Sequence, residues 1–262
     1  MLTLDARSQL KELAAARGPL LIATDLDGTL APIVAIASQA RVPAAALAVM
    51  DRLTNVAKVA VITGRDLNTA RRMVSGENVI IIGSHGLEAS FAHDLLPGLD
   101  RLALAGALER VEQQVMSSIP SAYLHIERKA ISTAFHFRRA PEIEGELRKA
   151  LATLPAALRL REGRMVLEVL PNANGGKDVA LRALVHHFKA HSVLCMGDDL
   201  TDAAMFRAAK ELGRERGDAV LVAGIAAGEE TPAEIVELSD ILLGSTDEAL
   251  EALETIARAL GV

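Results

Sequence analysis

The stretch IATDLDGTL (residues 22–30) places two carboxylates, Asp25 and Asp27, one residue apart in an otherwise apolar run. An aliphatic run of this kind reads as a buried strand, and a strand interior has no place for ionised acids unless they are paired or used. Gly28 and Thr29 follow directly, and glycine accepts turn conformations closed to other residues. The strand therefore ends at the two acids, and the fold must explain what it brings beside them.

Outward from this stretch, short β-branched runs alternate with helical patterns. PLLIATD, KVAVITG and NVIIIGSHG read as strands, with PAAALAVMDRLTNV and RDLNTARRMVSG as the helices between them. Continuous apolar strands separated by helices predict an α/β unit whose parallel sheet is covered on both faces. The pattern changes after LLPGLD: a helix over 101–118, adjacent strands AYLHIER and ISTAFHFR, a helix over 141–154, then strands ALRLRE and RMVLEVL. Paired strands between single helices predict an antiparallel sheet with helices on one face. Charge follows the same division. Residues 97–171 hold 11 Lys and Arg against 9 Asp and Glu, whereas the rest holds 17 against 25. The βα rhythm resumes with KDVALRALVHHFKA, SVLCMG, DDLTDAAMFRAAKEL, DAVLVAG, DILLG and TDEALEALETIARAL. The expected organisation is a Rossmann-like core over 1–96 and 173–262, interrupted by an α+β domain over 97–172.

Half of the 262 residues are apolar and 24% are charged, enough to bury a sizeable core in one or two domains. A net charge of −6 offers no footprint for nucleic acid or for an anionic membrane. The first 18 residues are charged throughout and read as an amphipathic helix, not a signal peptide. No apolar run reaches the roughly 18 residues of a membrane span. Cys195, the one cysteine, lies in a strand pattern and reads as core; with a single thiol no intrachain disulfide forms. The expectation is a soluble cytoplasmic protein. His186, His187 and His191 have no acidic or thiol company in sequence and read as solvated surface. With no Trp and one Tyr there is no stacking platform for bases, so a polar small-molecule site would rest on hydrogen bonds.

In open α/β sheets ligands bind beyond the carboxyl ends of the strands. Four polar groups fall at those ends or open the following helix: DLDGT, TGR (63–65), Lys177 and GDDLTD (197–202). Each alone also reads as structure, since Asp and Thr cap helices and a lysine is an ordinary solvated residue. Together they say more. Carboxylates gathered at one sheet edge need a cation, and an all-oxygen donor set suits Mg²⁺. A lysine and a threonine hydroxyl beside them are what a transferring phosphoryl group requires. One carboxylate can then act as nucleophile and the other as acid/base. NANGGKD is not a P-loop, because no glycine stands five residues before Gly176 and Asp178 replaces Ser or Thr.

DLDGTL, VITGRD, Lys177 and GDDLTD, in this order, resemble the four motifs of the haloacid dehalogenase superfamily. The resemblance implies Asp25 as nucleophile, Asp27 as acid/base, and Thr63 and Lys177 on the phosphoryl oxygens. It also implies Mg²⁺ held by the Asp25 side chain, the Asp27 backbone carbonyl and Asp198, with Asp199 or Asp202 in support. The inserted domain resembles the superfamily's larger cap, the C2B type. More narrowly, GSHGLE (83–88), IERKAISTAFHFR (126–138), VLEVLPNANGGK (166–177) and GDDLTDAAMF (197–206) are similar to signatures of the trehalose-6-phosphate phosphatase family. That likeness implies substrate recognition by Arg65, His85, Glu88, Glu127, Lys129, His136, Arg138 and Glu168. It further implies a sugar phosphate as substrate and a functional link to a trehalose-6-phosphate synthase. The cap residues also read as ordinary strand-face charges, with Glu168 as a cross-strand partner. Two positions depart from the family pattern: Asp178 stands where glycine is usual, and Ala203 where glutamate is usual. Other readings are a phosphatase of sucrose 6-phosphate or mannosyl-3-phosphoglycerate, a phospho-receiver signalling domain, or a non-catalytic sugar-phosphate-binding regulator.

Overall fold

Leu20–Thr24 forms β1, buried at every residue, and it lies inside a seven-stranded sheet. Lys58–Ile62 (β2) and Ile80–Gly83 (β3) run parallel to it on one side. Ser192–Gly197 (β9), Ala219–Ile225 (β10) and Ile241–Leu243 (β11) run parallel on the other. Glu88–Ala89 (β4) adds a short antiparallel edge, so the order is β11-β10-β9-β1-β2-β3-β4. The protein is described here from a computed structural model covering residues 1–90, 100–163, 165–173, 175–228 and 231–262.

The apolar character of these strands follows from burial on both faces. On one face Ile22, Val61 and Leu194 pack with Leu10 of α1 (Leu4–Ala15), Met50 of α2 (Ala44–Leu53) and Leu253 of α9 (Thr246–Leu260). On the other, Leu21, Ile62 and Cys195 pack with Leu184 of α6 (Lys177–Phe188) and Phe206 of α7 (Leu200–Arg216). Helices α3 (Leu67–Met73) and α8 (Ala233–Leu238) complete this layer set.

The chain divides into two units, one of Met1–Leu96 with Gly175–Val262 and the other of Pro97–Asn174. The junction expected at 96/97 lies outside the described residues. The second unit carries a four-stranded antiparallel sheet in the order β5-β6-β8-β7, from His125–Arg128 (β5), Thr133–His136 (β6), Leu158–Gly163 (β7) and Val166–Pro171 (β8). Its helices are α4 (Arg101–Ser118) and α5 (Glu144–Ala150). Cross-strand register decides the two faces. Ile126, Phe135, Leu167 and Glu162 share one row, whereas Glu127, Ala134, Glu168 and Arg161 share the next, on the opposite face. Arg128, on the Phe135 face, pairs with Glu112 of α4, so α4 lies on the apolar side.

Local departures from the sequence pattern have local causes. The strand expected through residue 86 stops at Gly83, because Ser84, His85 and Gly86 take positive φ angles (51°, 53° and 92°) and turn the chain. The strand expected from residue 122 starts at His125, after one 3₁₀ turn over Ser121–Tyr123 that follows Pro120. The helix expected over 141–154 is a 3₁₀ turn, Pro141–Ile143, leading into α5. Among the described residues, no helix is long and apolar enough to cross a membrane.

Candidate active site

Asp25 is the first residue beyond β1, and its N–H donates to the Met196 carbonyl at 2.9 Å, extending the β1–β9 ladder by one bond. The chain then folds back on itself, with Gly28 N–H donating to Ala31 O and Ala31 N–H to Leu26 O, each at 2.8 Å. Gly28 has φ of 80°, and a Cβ there would fall 2.0 Å from Asp198 Oδ2. Only glycine lets this turn close on Asp198. Thr29 Oγ1, fully buried, donates to Asp198 Oδ1 at 3.2 Å.

Lys177 opens α6 at the neighbouring strand ends. Its Nζ lies 2.7 Å from Oδ1 of Asp25 and 2.7 Å from Oδ1 of Asp202, with 2% of the lysine side chain exposed. The second Asp202 oxygen accepts the N–H groups of Asp198 (3.1 Å) and Asp199 (3.2 Å), and Asp199 caps α7 through Thr201 N–H. Asp202 therefore fixes both the lysine and the GDDLTD loop. Burial pulls the Lys177 ammonium down, but Asp25 and Asp202 outweigh it and hold it well above the ordinary lysine range. Burial pushes the Asp25 carboxyl up against the pull of Lys177. It also pushes Asp198 up to about 7, helped by the Asp25 charge. For Asp199 burial acts upward too, but hydrogen bonds from Thr201 and the Lys177 charge leave it below the usual range.

These residues fit a divalent cation. Carboxylate oxygens of Asp25, Asp198 and Asp202 lie within 4.8 Å of one another. Lys177 offsets Asp25 and Asp202, and among the described ion pairs Asp198 has no cation. An all-oxygen set with surplus negative charge suits a hard ion. Both Asp202 oxygens already accept protein donors, so Asp25 and Asp198 are the side chains left to ligate.

The acid two residues on has a different environment. Arg65 grips Asp27 at both oxygens, Nε to Oδ2 at 2.5 Å and Nη2 to Oδ1 at 2.7 Å. The loop carrying Thr63 and Arg65 is held by the loop after β3: Thr63 N–H donates to Ile82 O, His85 N–H to Thr63 O, and Ser84 N–H to Arg65 O at 2.7 Å. Glu88, 1% exposed, accepts Leu67 N–H (3.2 Å) and the Ser84 hydroxyl (2.6 Å) on one oxygen, locking the two loops together. The His85 ring lies against Gly64, where a Cβ would come within 2.5 Å of Nε2.

A family model described as trehalose-phosphatase matches residues 23–230. The chain belongs to the trehalose-phosphatase family. A probable trehalose-phosphate phosphatase of Sinorhizobium fredii is 32% identical over 197 residues, covering 72% of this chain and 73% of that protein. The trehalose-phosphate phosphatase of Mycobacterium avium is 32% identical over 199 residues, covering 71% of this chain and 50% of that protein, so the match spans half of that relative. A solved structure of Aspergillus fumigatus trehalose-6-phosphate phosphatase aligns over 98% of each chain with a TM-score of 0.62 at 23% identity, a likeness of fold.

In this trehalose-phosphatase family member, the residues that the sequence singles out fall into two groups. Asp25, Asp27, Thr63, Arg65, His85, Glu88, Lys177 and Asp198 belong to the larger unit, at the carboxyl edge of its sheet or in the loops that brace it. Glu127, His136 and Glu168 lie on the polar face of the smaller unit's sheet, with Lys129 just past β5 and Arg138 exposed in the turn after β6. His136 Nε2 meets Glu127 Oε2 at 2.9 Å. Glu168 is saturated: Lys129 Nζ (3.2 Å) and the Ser132 hydroxyl (2.7 Å) donate to one oxygen, and the Arg161 guanidinium to the other. Burial pushes its carboxyl up, but those bonds and the charges of Lys129 and Arg161 prevail, holding it below the usual range.

The two departures have plain local accounts. Asp178 lies in the first turn of α6, where an acid suits the helix dipole, and folds back over Gly176. Ala203 is fully buried and packs in the apolar cluster of α6 and α7. Sequence reasoning gave no role to Thr29, Ser84, Ser132 or Arg161. Thr29 carried a signal in DLDGT; the other three emerge only from loop and strand pairing.

Proposed function

We propose that this protein hydrolyses trehalose 6-phosphate to trehalose and inorganic phosphate in a reaction dependent on Mg²⁺. The observation that carries this reading is the buried Lys177 between Asp25 and Asp202, with Asp198 alongside and the second acid, Asp27, two residues from the first. Asp25 forms a bond to phosphorus while the bond from phosphorus to the sugar oxygen breaks, and Asp27 gives that oxygen a proton. Water then attacks the aspartyl-phosphate and yields a proton to Asp27, and phosphate departs from Asp25. Lys177 and the Thr63 hydroxyl meet the phosphoryl oxygens as charge spreads onto them. The Asp25 and Asp198 side chains with the Asp27 backbone carbonyl would hold Mg²⁺, which would supply the positive charge that admits a dianionic phosphate to an anionic nucleophile.

Sugar recognition in this reading uses His85 in the larger unit and Glu127, Lys129, His136 and Arg138 in the smaller one. Glu168 holds Lys129 in place, and Glu88 holds the loops that carry Arg65 and His85. The substrate implies a functional link to a trehalose-6-phosphate synthase. A single buried cysteine goes with a cytoplasmic setting.

The test is phosphate release with Mg²⁺ from trehalose 6-phosphate, sucrose 6-phosphate and glucose 6-phosphate, with Asp25→Asn as the blank. Preference for trehalose 6-phosphate, abolished in the variant, is the expected result. Release from a different sugar phosphate keeps the chemistry and discards the substrate. No release from any of them discards the enzyme reading.

A further inference from the structure

The Arg65 guanidinium spends three donors on two partners. Two go to Asp27, one on each carboxylate oxygen, and Nη2 also donates to the Ala37 carbonyl at 2.8 Å. The backbone behind it is rigid. Arg65 N–H donates to Thr63 Oγ1 at 3.2 Å, Arg65 O accepts from Ser84, and Glu88 holds the next turn through Leu67 N–H. Asp27 itself sits at the turn between β1 and the exposed segment 32–39, in which Ile33 is 77% and Ile36 54% exposed. Without a partner the Asp27 side chain, 37% exposed, would sample several rotamers. A planar fork engaging both oxygens permits one.

The geometry points to Arg65 as the positioning residue for the acid/base: its bidentate grip sets the direction of the Asp27 carboxyl, and through Ala37 it ties that carboxyl to the 32–39 segment. This rests on the phosphatase reading above and refines it, because Arg65 then acts through Asp27 and not as a sugar contact. A phosphate ester of an alcohol needs its leaving oxygen protonated, whereas an aryl phosphate releases a stabilised phenolate that needs no proton. Loss of acid placement therefore falls selectively on the alcohol ester, and general acid catalysis is worth roughly 10²–10⁴-fold.

The experiment compares Arg65→Lys and Arg65→Gln with the unaltered chain under single-turnover conditions with Mg²⁺ and enzyme in excess. It follows release of trehalose from trehalose 6-phosphate, glucose from glucose 6-phosphate, and p-nitrophenol from p-nitrophenyl phosphate. The expected result is a loss of about 10²-fold on the sugar esters and less than about 10-fold on the aryl ester, at similar substrate half-saturation. Arg65→Lys should not rescue, because an ammonium lacks the planar fork that holds both oxygens in one orientation. In an Asp27→Asn background, Arg65→Gln should cost nothing further on sugar esters. Equal losses on both ester types, a loss confined to half-saturation, or additivity with Asp27→Asn overturns the proposal. Should the unaltered chain turn over glucose 6-phosphate and not trehalose 6-phosphate, the substrate reading fails while the ester comparison still decides the role of Arg65.

Discussion

Lys177 Nζ lies 2.7 Å from an oxygen of Asp25, inside a site that leaves 2% of the lysine side chain and 7% of the aspartate side chain exposed. A buried pair of this kind is worth little as a net attraction, but removing one partner leaves the other as an uncompensated buried charge. Here the lysine answers two carboxylates, so its removal leaves both.

Lys177→Met should therefore lower folding stability by about 3–5 kcal/mol in the metal-free protein, read from the urea midpoint. It should also abolish most turnover. A change below ~1 kcal/mol would show that Asp25 and Asp202 are neutral when folded.

Asp25→Asn keeps the shape of the side chain and removes the proposed nucleophile. Turnover of trehalose 6-phosphate should fall by about 10⁴-fold or more, while Mg²⁺-dependent thermal stabilisation weakens and does not vanish, because Asp198 remains. Measurable covalent phosphorylation in the variant would refute the nucleophile assignment.

Gly28→Ala puts a methyl where Asp198 Oδ2 now lies and forces a side chain into φ of 80°. The backbone term alone costs about 1–2 kcal/mol. Because Asp198 must move, half-saturation by Mg²⁺ should rise by roughly tenfold or more, about 1.4 kcal/mol of binding. An unchanged Mg²⁺ titration would separate Asp198 from the ion.

Glu168→Gln removes a carboxylate that accepts from Lys129, Ser132 and Arg161. Hydrogen bonds to a charged group of this sort contribute about 1.5–3 kcal/mol, and the variant should be destabilised by that order near neutral pH. The folded-state pKa of Glu168 is depressed, so its contribution is present above the unfolded value and lost as pH falls through the folded one. The difference between the two proteins should stay constant down to about pH 5 and shrink only below about pH 4, followed by thermal melting. A difference that shrinks between pH 7 and 6 would contradict the depressed pKa.

Much of the site was legible because its information is local. The pair Asp25 and Asp27 interrupts an apolar strand, Gly28 supplies the turn after it, and Lys177 opens a helix beside strand-end acids; each is a statement about a few neighbouring residues. Glu88 was not legible in the same way. An acid in GSHGLE looks available to a ligand, yet loop 84–86 turns through positive φ and buries it against Leu67 N–H and Ser84. Arg65 likewise reads as a cation for a substrate until Asp27, 38 residues away in sequence, is seen to take both of its forward donors.

The alternation of strand and helix, the interruption by an α+β segment, and the placement of acids, threonine and lysine after successive strands are all readable along the chain. Hydrophobic period and turn chemistry are properties of short windows, so they survive without coordinates. Tertiary structure decided who partners whom. Glu168 stands opposite Arg161 and Ala134 only in the observed register, and a slip of one residue would turn it to the apolar face beneath α4. Register, loop closure and the reach of a guanidinium are set by packing between segments distant along the chain, and no single window of sequence contains them.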